Sequence, residues 1–209
     1  MPLAGHIEMR AKRAFLSPRL RTLRGVGLIE ILVGLAIVGV LLGVAMPSLA
    51  DLLEKRRVVA VALELSGILN FAKSEANVNG DAVTVHLDQD PDQKISCAMV
   101  NVTIGSDIQC KCYRSVQNMC GSVFHVAILR VFQINNSEGV SFEASATNWG
   151  AVPNSLGFTR NTYNLGVTGV KIAVTGRRTN AKLRVELSEV NRVRTCSPDG
   201  SITGFPVCS

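Results

Sequence analysis

The longest feature of the polarity pattern is an uncharged run of 20 residues, Ile31 to Ala50, directly after a single acid, Glu30. At about 1.5 Å of rise per residue such a run makes a helix of about 30 Å, the thickness of a bilayer's hydrocarbon core. A secretory signal has a shorter apolar core with a small-residue cleavage site behind it. Here the core is too long, and the residues that follow, MPSLADLLEKRR, make a poor site of that kind. Downstream the pattern turns from all-apolar to one-sided. Val58, Ala62, Leu65, Leu69, Ala72 and Ala76 recur at spacings of 4, 3, 4, 3 and 4, a single helical stripe. Asn77, Asn79 and Gly80 stop it. One helix is expected from residue 26 to about 79, a rod of roughly 80 Å whose second half packs its stripe on a domain.

From residue 82 the period shortens to two. In AVTVHL, residues 82–87, Val83, Val85 and Leu87 face one way and Thr84 and His86 the other. Residues 124–132, FHVAILRVF, are apolar on both faces. Val170, Ile172 and Val174 alternate, as do Leu183, Val185 and Leu187, and GRRTNA at 176–181 reads as the hairpin turn between them. Residues 88–122 read as strand-poor and cysteine-rich, an irregular insertion. The expected fold class is α+β, a long N-terminal helix against antiparallel sheet.

The charge distribution adds an orientation. The chain of 209 residues has a net charge of +6. Residues 1–25 hold six basic residues (Arg10, Lys12, Arg13, Arg19, Arg21, Arg24) against Glu8, leaving only +1 for the rest. Basic residues beside an apolar stretch stay in the cytoplasm, which puts residues after about 50 on the other side. Six cysteines suit an oxidising compartment, the periplasm of a Gram-negative cell. Past the leader the balance is again uneven: residues 160–209 have eight basic groups and three acids, while residues 26–159 have eight and twelve. A basic end of this kind marks an anion-binding face or solvated strand edges.

Catalytic and metal chemistry find little support. Asp88, Asp90 and Asp92 open like a calcium loop, but its sixth position is Gln93 and its twelfth Met99, so a solvated turn is expected. Cys110-x-Cys112 with Cys120 suggests zinc by spacing alone, and no His lies near enough in sequence to complete a usual site. Cys97, Cys110, Cys112 and Cys120 allow three pairings; bonding Cys110 to Cys112 needs a very tight ring, which leaves two open. His86 and His125 sit in strand patterns without an acid or nucleophile at a meaningful spacing, and no G-x-S-x-G, H-E-x-x-H or P-loop occurs. Neither an enzyme nor a cofactor is expected.

The order basic leader, Gly25, Val26, Gly27, Leu28, Ile29, Glu30, long apolar run resembles the type III signal of type IV prepilins and pseudopilins. The resemblance implies cleavage after Gly25 by prepilin peptidase and methylation of the new N-terminal Val26, which stands where Phe is usual. It implies a leader of residues 1–25, a transmembrane half of the helix at 26–50, a periplasmic half at 51–80 and a β-rich periplasmic domain at 81–209 with the cysteine-rich insertion around 88–122. Glu30 becomes the fifth mature residue. In the family this acid is thought to pair with the N-terminal amine of a neighbouring subunit, which would explain why a carboxylate is kept beside an apolar run, a charge at a bilayer's centre costing about 2.5–3.5 kcal/mol; the alternative is that Glu30 lies near the interface and stays hydrated. Gly34, Gly39, Gly43 and Pro47 interrupt the run, as in helices that pack closely or partly melt in family filaments.

Residues 58–85, with Leu65, Ala72, Ser74, Glu75, Ala76, Gly80 and then VTV, resemble FimT/GspH-type minor pilins and pseudopilins, and VNRVRTCSPDGSITGFPVC resembles the FimT ending. The resemblance implies a Cys196–Cys208 disulfide. It also implies DNA binding through the Arg-x-Arg pair Arg192 and Arg194, with Asn191 where the motif has Gly; Arg177 and Arg178 would extend the patch. The function so implied is a single-pass inner-membrane minor pilin that initiates type IV pilus filaments and captures DNA, with prepilin peptidase, other pilins and the inner-membrane assembly platform as partners. The alternative is a type II secretion pseudopilin.

Overall fold

The computed structural model describes residues 27–103, 110–121, 126–149, 152–160, 167–188 and 190–208. The chain divides into two compact units, Met1–Gly43 and Val44–Ser209. The first helix, α1, runs Leu28–Asn79. In the first unit its apolar side chains, Ile31, Leu35 and Leu41 among them, are exposed. The most apolar stretch of α1 has none of its residues buried within the protein. A helix apolar all round needs an apolar surrounding, and this one suits a bilayer in length and composition.

The second unit is the expected α+β arrangement. Among the described residues eight strands follow in chain order: β1 (Val83–Gln89), β2 (Ile95–Thr103), β3 (Val126–Asn135), β4 (Val140–Ser145), β5 (Ser155–Phe158), β6 (Val170–Gly176), β7 (Lys182–Leu187) and β8 (Val193–Cys196). They form two four-stranded sheets, β3-β2-β1-β5 and β4-β6-β7-β8, antiparallel at every pair. All six residues of the helical stripe are buried, with Ile68 beside them, in one core with Val83, Val85 and Leu87 of β1, Phe142 of β4 and the inward residues of β6 and β7. The helix ends at Gly80, whose φ of 78° closes the last turn and whose N–H donates to Ala76 O at 3.1 Å. The Arg160 guanidinium donates to the carbonyls of Asn77 and Val78, each at 3.3 Å, a cation on the negative end of the helix dipole.

The 88–122 stretch corrects the expectation of few strands, since β2 lies inside it. Its sequence, ISCAMVNVT, lacks alternation because both faces are covered. Ala98 and Val100 join the main core, while Cys97 and Met99 face a second cluster with Cys110, Cys112 and Met119. A strand buried on both sides reads as an unbroken apolar run. The cysteine segment is thus a cap on the outside of the first sheet, stapled by Cys97–Cys112 and Cys110–Cys120. It also explains why His86, on the outward parity of β1, is buried. In β3 the pairing slips at Leu129: Val100 faces Arg130 and Asn101 faces Ile128. This bulge changes the parity of the strand. Val126, Ile128 and Val131 therefore touch the cap, whereas Phe132 and Ile134 touch the main core, which is why this segment reads as apolar on both faces.

Candidate functional site

The β7–β8 hairpin carries the Arg-x-Arg pair. Its register sets Leu187 against Val193, Glu186 against Arg194 and Arg184 against Cys196. The ladder continues one step beyond the strands: Ser188 N donates to Arg192 O at 3.0 Å, and Arg192 N to Ser188 Oγ at 3.0 Å. Val185 and Leu187 point into the core, so Arg184 and Glu186, with their cross-strand partners, lie on the outer face. Arg192 and Arg194 are two apart on that face and both exposed. Lys171 of β6 stands opposite Glu186 on the other side, and Arg184 reaches Glu186 at 3.2 Å. One carboxylate is thus bordered by three cations, and Arg192 extends the row to the sheet's end.

The loop closing this hairpin depends on Asn191. Its φ is 60°, in the left-handed region, and its N–H donates to Ser188 O at 2.8 Å. A turn followed by a left-handed residue is a common three-residue hairpin loop, usually with Gly at that position. Asn tolerates this conformation better than other side-chain-bearing residues, so the departure from Gly keeps the turn. Lys73 of α1 donates to Asn191 O at 3.0 Å, tying the loop to the far end of the helix.

Cys196 is bonded to Cys208. The segment between them folds back on β8: Ser197 N donates to Pro206 O at 2.8 Å, and Cys208 N to Ser197 O at 3.3 Å. Asp199 accepts from Ser201 and Ser197, and these hydrogen bonds hold its carboxyl below the usual carboxylate range. The Glu186 carboxylate and the two sulfurs lie within 4.8 Å of one another. With both sulfurs spent in a disulfide this trio has no metal-binding capacity.

Arg177 and Arg178 do not extend this patch, which corrects the expectation. They occupy the β6–β7 turn, at the opposite end of β7 from Asn191. Six residues of strand separate the two ends, about 20 Å. Arg178 is also engaged, with its Nε 3.0 Å from Asp51. The turn is held by Glu54, which accepts the N–H groups of Arg178 at 2.9 Å and Thr179 at 2.7 Å. Burial pushes the Glu54 carboxyl up, but the Thr179 hydroxyl, the two backbone donors and the Arg178 charge outweigh it and hold it below the usual range. Gly176 makes room, since a Cβ there would stand 3.0 Å from the Glu54 carboxylate. Glu54 lies four residues before Val58 on the helical stripe, so an acid at a core position was the available signal for this contact.

Gly25 and Val26 lie outside the described residues. Glu30 is in the first turn of α1, its N–H donating to Gly27 O at 2.9 Å, and its side chain is exposed. A carboxylate there complements the helix dipole. His86, read from sequence as isolated, has a partner in Ser155, whose Oγ is 2.8 Å from Nδ1 where β1 pairs with β5. Ser155 also donates to Pro153 O at 3.3 Å. Burial lowers the His86 pKa to about 4, so the ring is neutral at neutral pH and acts as a buried hydrogen-bonding element.

No family model and no curated protein matches this chain. Among solved structures it is similar to the minor pseudopilin EpsH of the Vibrio cholerae type 2 secretion system, at 14% identity over 68% of this chain and 97% of that one, with a TM-score of 0.44. It is also similar to the type IV minor pilin FimU of Pseudomonas aeruginosa, at 21% identity over 68% of this chain and 89% of that one, with a TM-score of 0.45. Likeness this distant assigns neither a function nor a machine.

Proposed function

We propose that the chain is a minor pilin or pseudopilin subunit, anchored once in the inner membrane by α1 with its N-terminus cytoplasmic and the strand-bearing unit periplasmic. The observation that carries this reading is Glu30 in the first turn of an exposed apolar helix, five residues after Gly25. An acid in that setting is costly alone and satisfied by a charge from a neighbour. Prepilin peptidase, other pilins and an inner-membrane assembly platform are the partners this implies. Mass spectrometry of the protein from cells with an active prepilin peptidase tests it. The expected N-terminus is methylated Val26, and Gly25→Ala should retain the leader. A mature chain that starts at Met1 rejects the reading.

Within that class, the outer face with Lys171, Arg184, Arg192 and Arg194 supports a filament-initiating type IV minor pilin that also captures DNA. Guanidinium groups pair with phosphate through two hydrogen bonds, and a row of them reads the backbone and not the bases. A type II secretion pseudopilin has no need of such a face.

A further inference from the structure

The first charged residue after the apolar run is Asp51. Arg178 of the β6–β7 turn ion-pairs with it at 3.0 Å, and Glu54, one helical turn on, accepts two backbone N–H groups of the same turn. The turn is therefore fixed at the level of α1 where apolar side chains give way to charged ones. If α1 stands in a bilayer, that level is the headgroup layer, about 5–8 Å deep on each side of the hydrocarbon. Lys55, Arg56 and Arg57 are exposed on the helix there. Arg57 is held by Glu138 O at 2.8 Å. Arg177 is exposed as well, and its guanidinium has no hydrogen bond or ion pair among the described residues. Its backbone is fixed, with N–H donating to Gly139 O at 2.8 Å.

Beside Arg177 opens a cavity of about 280 Å³ whose polar lining includes Gln89, Gln93, Asn136, Ser141 and Glu143. The Gln89 amide already donates to Phe142 O at 2.6 Å and the Asn136 amide is paired with Ser96 Oγ and Gln93 O, so Gln93, Ser141, Glu143 and the Arg177 guanidinium are the groups that suit a ligand with a phosphate and further hydrogen-bonding groups. We propose that this cavity receives the headgroup of a membrane phospholipid, with the phosphodiester on Arg177 and the glycerol or amine substituent on Gln93, Ser141 and Glu143. The inference rests on the reading of α1 as a membrane span. It gives the two arginine pairs different work: Arg192 and Arg194 face outward at one end of the second sheet, while the turn with Arg177 holds the unit against the leaflet until the subunit leaves it.

The test uses the full-length protein in dodecyl maltoside, a detergent without phosphate, with phosphatidylglycerol or phosphatidylethanolamine added and native mass spectrometry as readout. Wild type should retain one lipid, and Arg177→Gln should reduce the lipid-bound fraction at least fivefold while Arg114→Gln leaves it unchanged. Backbone hydrogen exchange at residues 140–143 and 175–178 should slow in phosphatidylglycerol nanodiscs for wild type but not for Arg177→Gln. Equal lipid retention in Arg177→Gln, or exchange that ignores the lipid, overturns the inference. Displacement of the lipid by equimolar glycerophosphoglycerol also overturns it, since the site would then serve a soluble phosphodiester. Carbonate extraction of cell membranes separates the two readings: a released chain ends the membrane reading itself, whereas a retained chain with no effect of Arg177 ends only this inference.

Discussion

The carboxylate of Glu54 accepts the N–H of Thr179 at 2.7 Å, across 125 residues of sequence. Together with the N–H of Arg178 it joins the start of the domain-packing helix to the β6–β7 turn. The turn is only part-buried, so losing the carboxylate leaves two donors that water serves in part. Glu54→Ala should cost about 1.5–3 kcal/mol, the range for hydrogen bonds to a charged acceptor, and Glu54→Gln less, since the amide keeps one acceptor. Urea unfolding of the two variants measures this. Faster amide exchange at Arg178 and Thr179 should precede global opening in both.

The pH dependence of stability isolates His86. Its folded pKa, near 4, lies below the ordinary histidine value of 6.5 because the buried ring resists charging. A histidine with a depressed folded value contributes stability that is present above the unfolded pKa and lost as pH falls toward the folded one. Glu54 and Asp199 are also depressed, but their stability is lost only below the ordinary carboxylate values, 4.5 and 3.8. Between pH 7 and pH 5 the histidine therefore dominates, and stability should fall by about 2 kcal/mol. His86→Gln should flatten that slope. An unchanged slope in the variant would assign it to another group.

What the sequence disclosed follows from how many surfaces each element buries. The α1 stripe and the alternations of β6 and β7 were legible because each buries one face, and that of β1 because its outward positions, though partly covered by the cap, are the polar Thr84 and His86. β2 was not, because its cap covers the other face and removes the alternation. β3 was only half legible, since a bulge at Leu129 exchanges its faces midway. The arginines of the site were visible as residues, but their grouping was not. Arg177 and Arg178 belong to one end of β7 and Arg192 and Arg194 to the other, a separation set by register and not by spacing along the chain. Ser155 and Lys73 carried no local signal, because their partners lie 69 and 118 residues away.

The left-handed Asn191 gives a conformational test. Asn191→Gly fits a φ of 60° without strain and also removes a buried Oδ1 that has no hydrogen-bond partner among the described residues. It should leave thermal stability within about 0.5 kcal/mol of wild type or raise it. Asn191→Val places a β-branched residue in that region and should cost about 1–3 kcal/mol. A calorimetric scan distinguishes the two. A valine variant as stable as the glycine variant would show that the loop does not need the left-handed residue.

The Cys196–Cys208 bridge closes a segment with a sequence separation of 12 residues. Replacing both with Ser should cost about 3 kcal/mol, the usual value for a loop of that length. The effect on exchange should be local, with residues 197–208 freed first and the β6–β7 ladder unchanged. Loss of protection throughout the second sheet instead would make the bridge a support of the whole unit.

DNA binding tests the division of labour between the arginine pairs. A protein that neutralises Z phosphates shows a fall of log K against log salt with slope about −0.9Z. If Arg192 and Arg194 each engage one phosphate, with Lys171 and Arg184 supplying up to two more, the slope for residues 51–209 on duplex DNA should be about −2 to −4. Arg192→Gln/Arg194→Gln should weaken binding and reduce the slope's magnitude by about 2, with an unchanged melting temperature, because both side chains are exposed. Arg177→Gln should leave affinity and slope as they are, since its turn lies at the far end of β7. Gel shifts at two salt concentrations give all three slopes. Equal slopes for wild type and the double variant would remove DNA capture and leave the outer face as a charged strand edge that keeps copies of the sheet apart. An effect of Arg177→Gln as large as that of the double variant would mean that DNA crosses the whole length of the sheet.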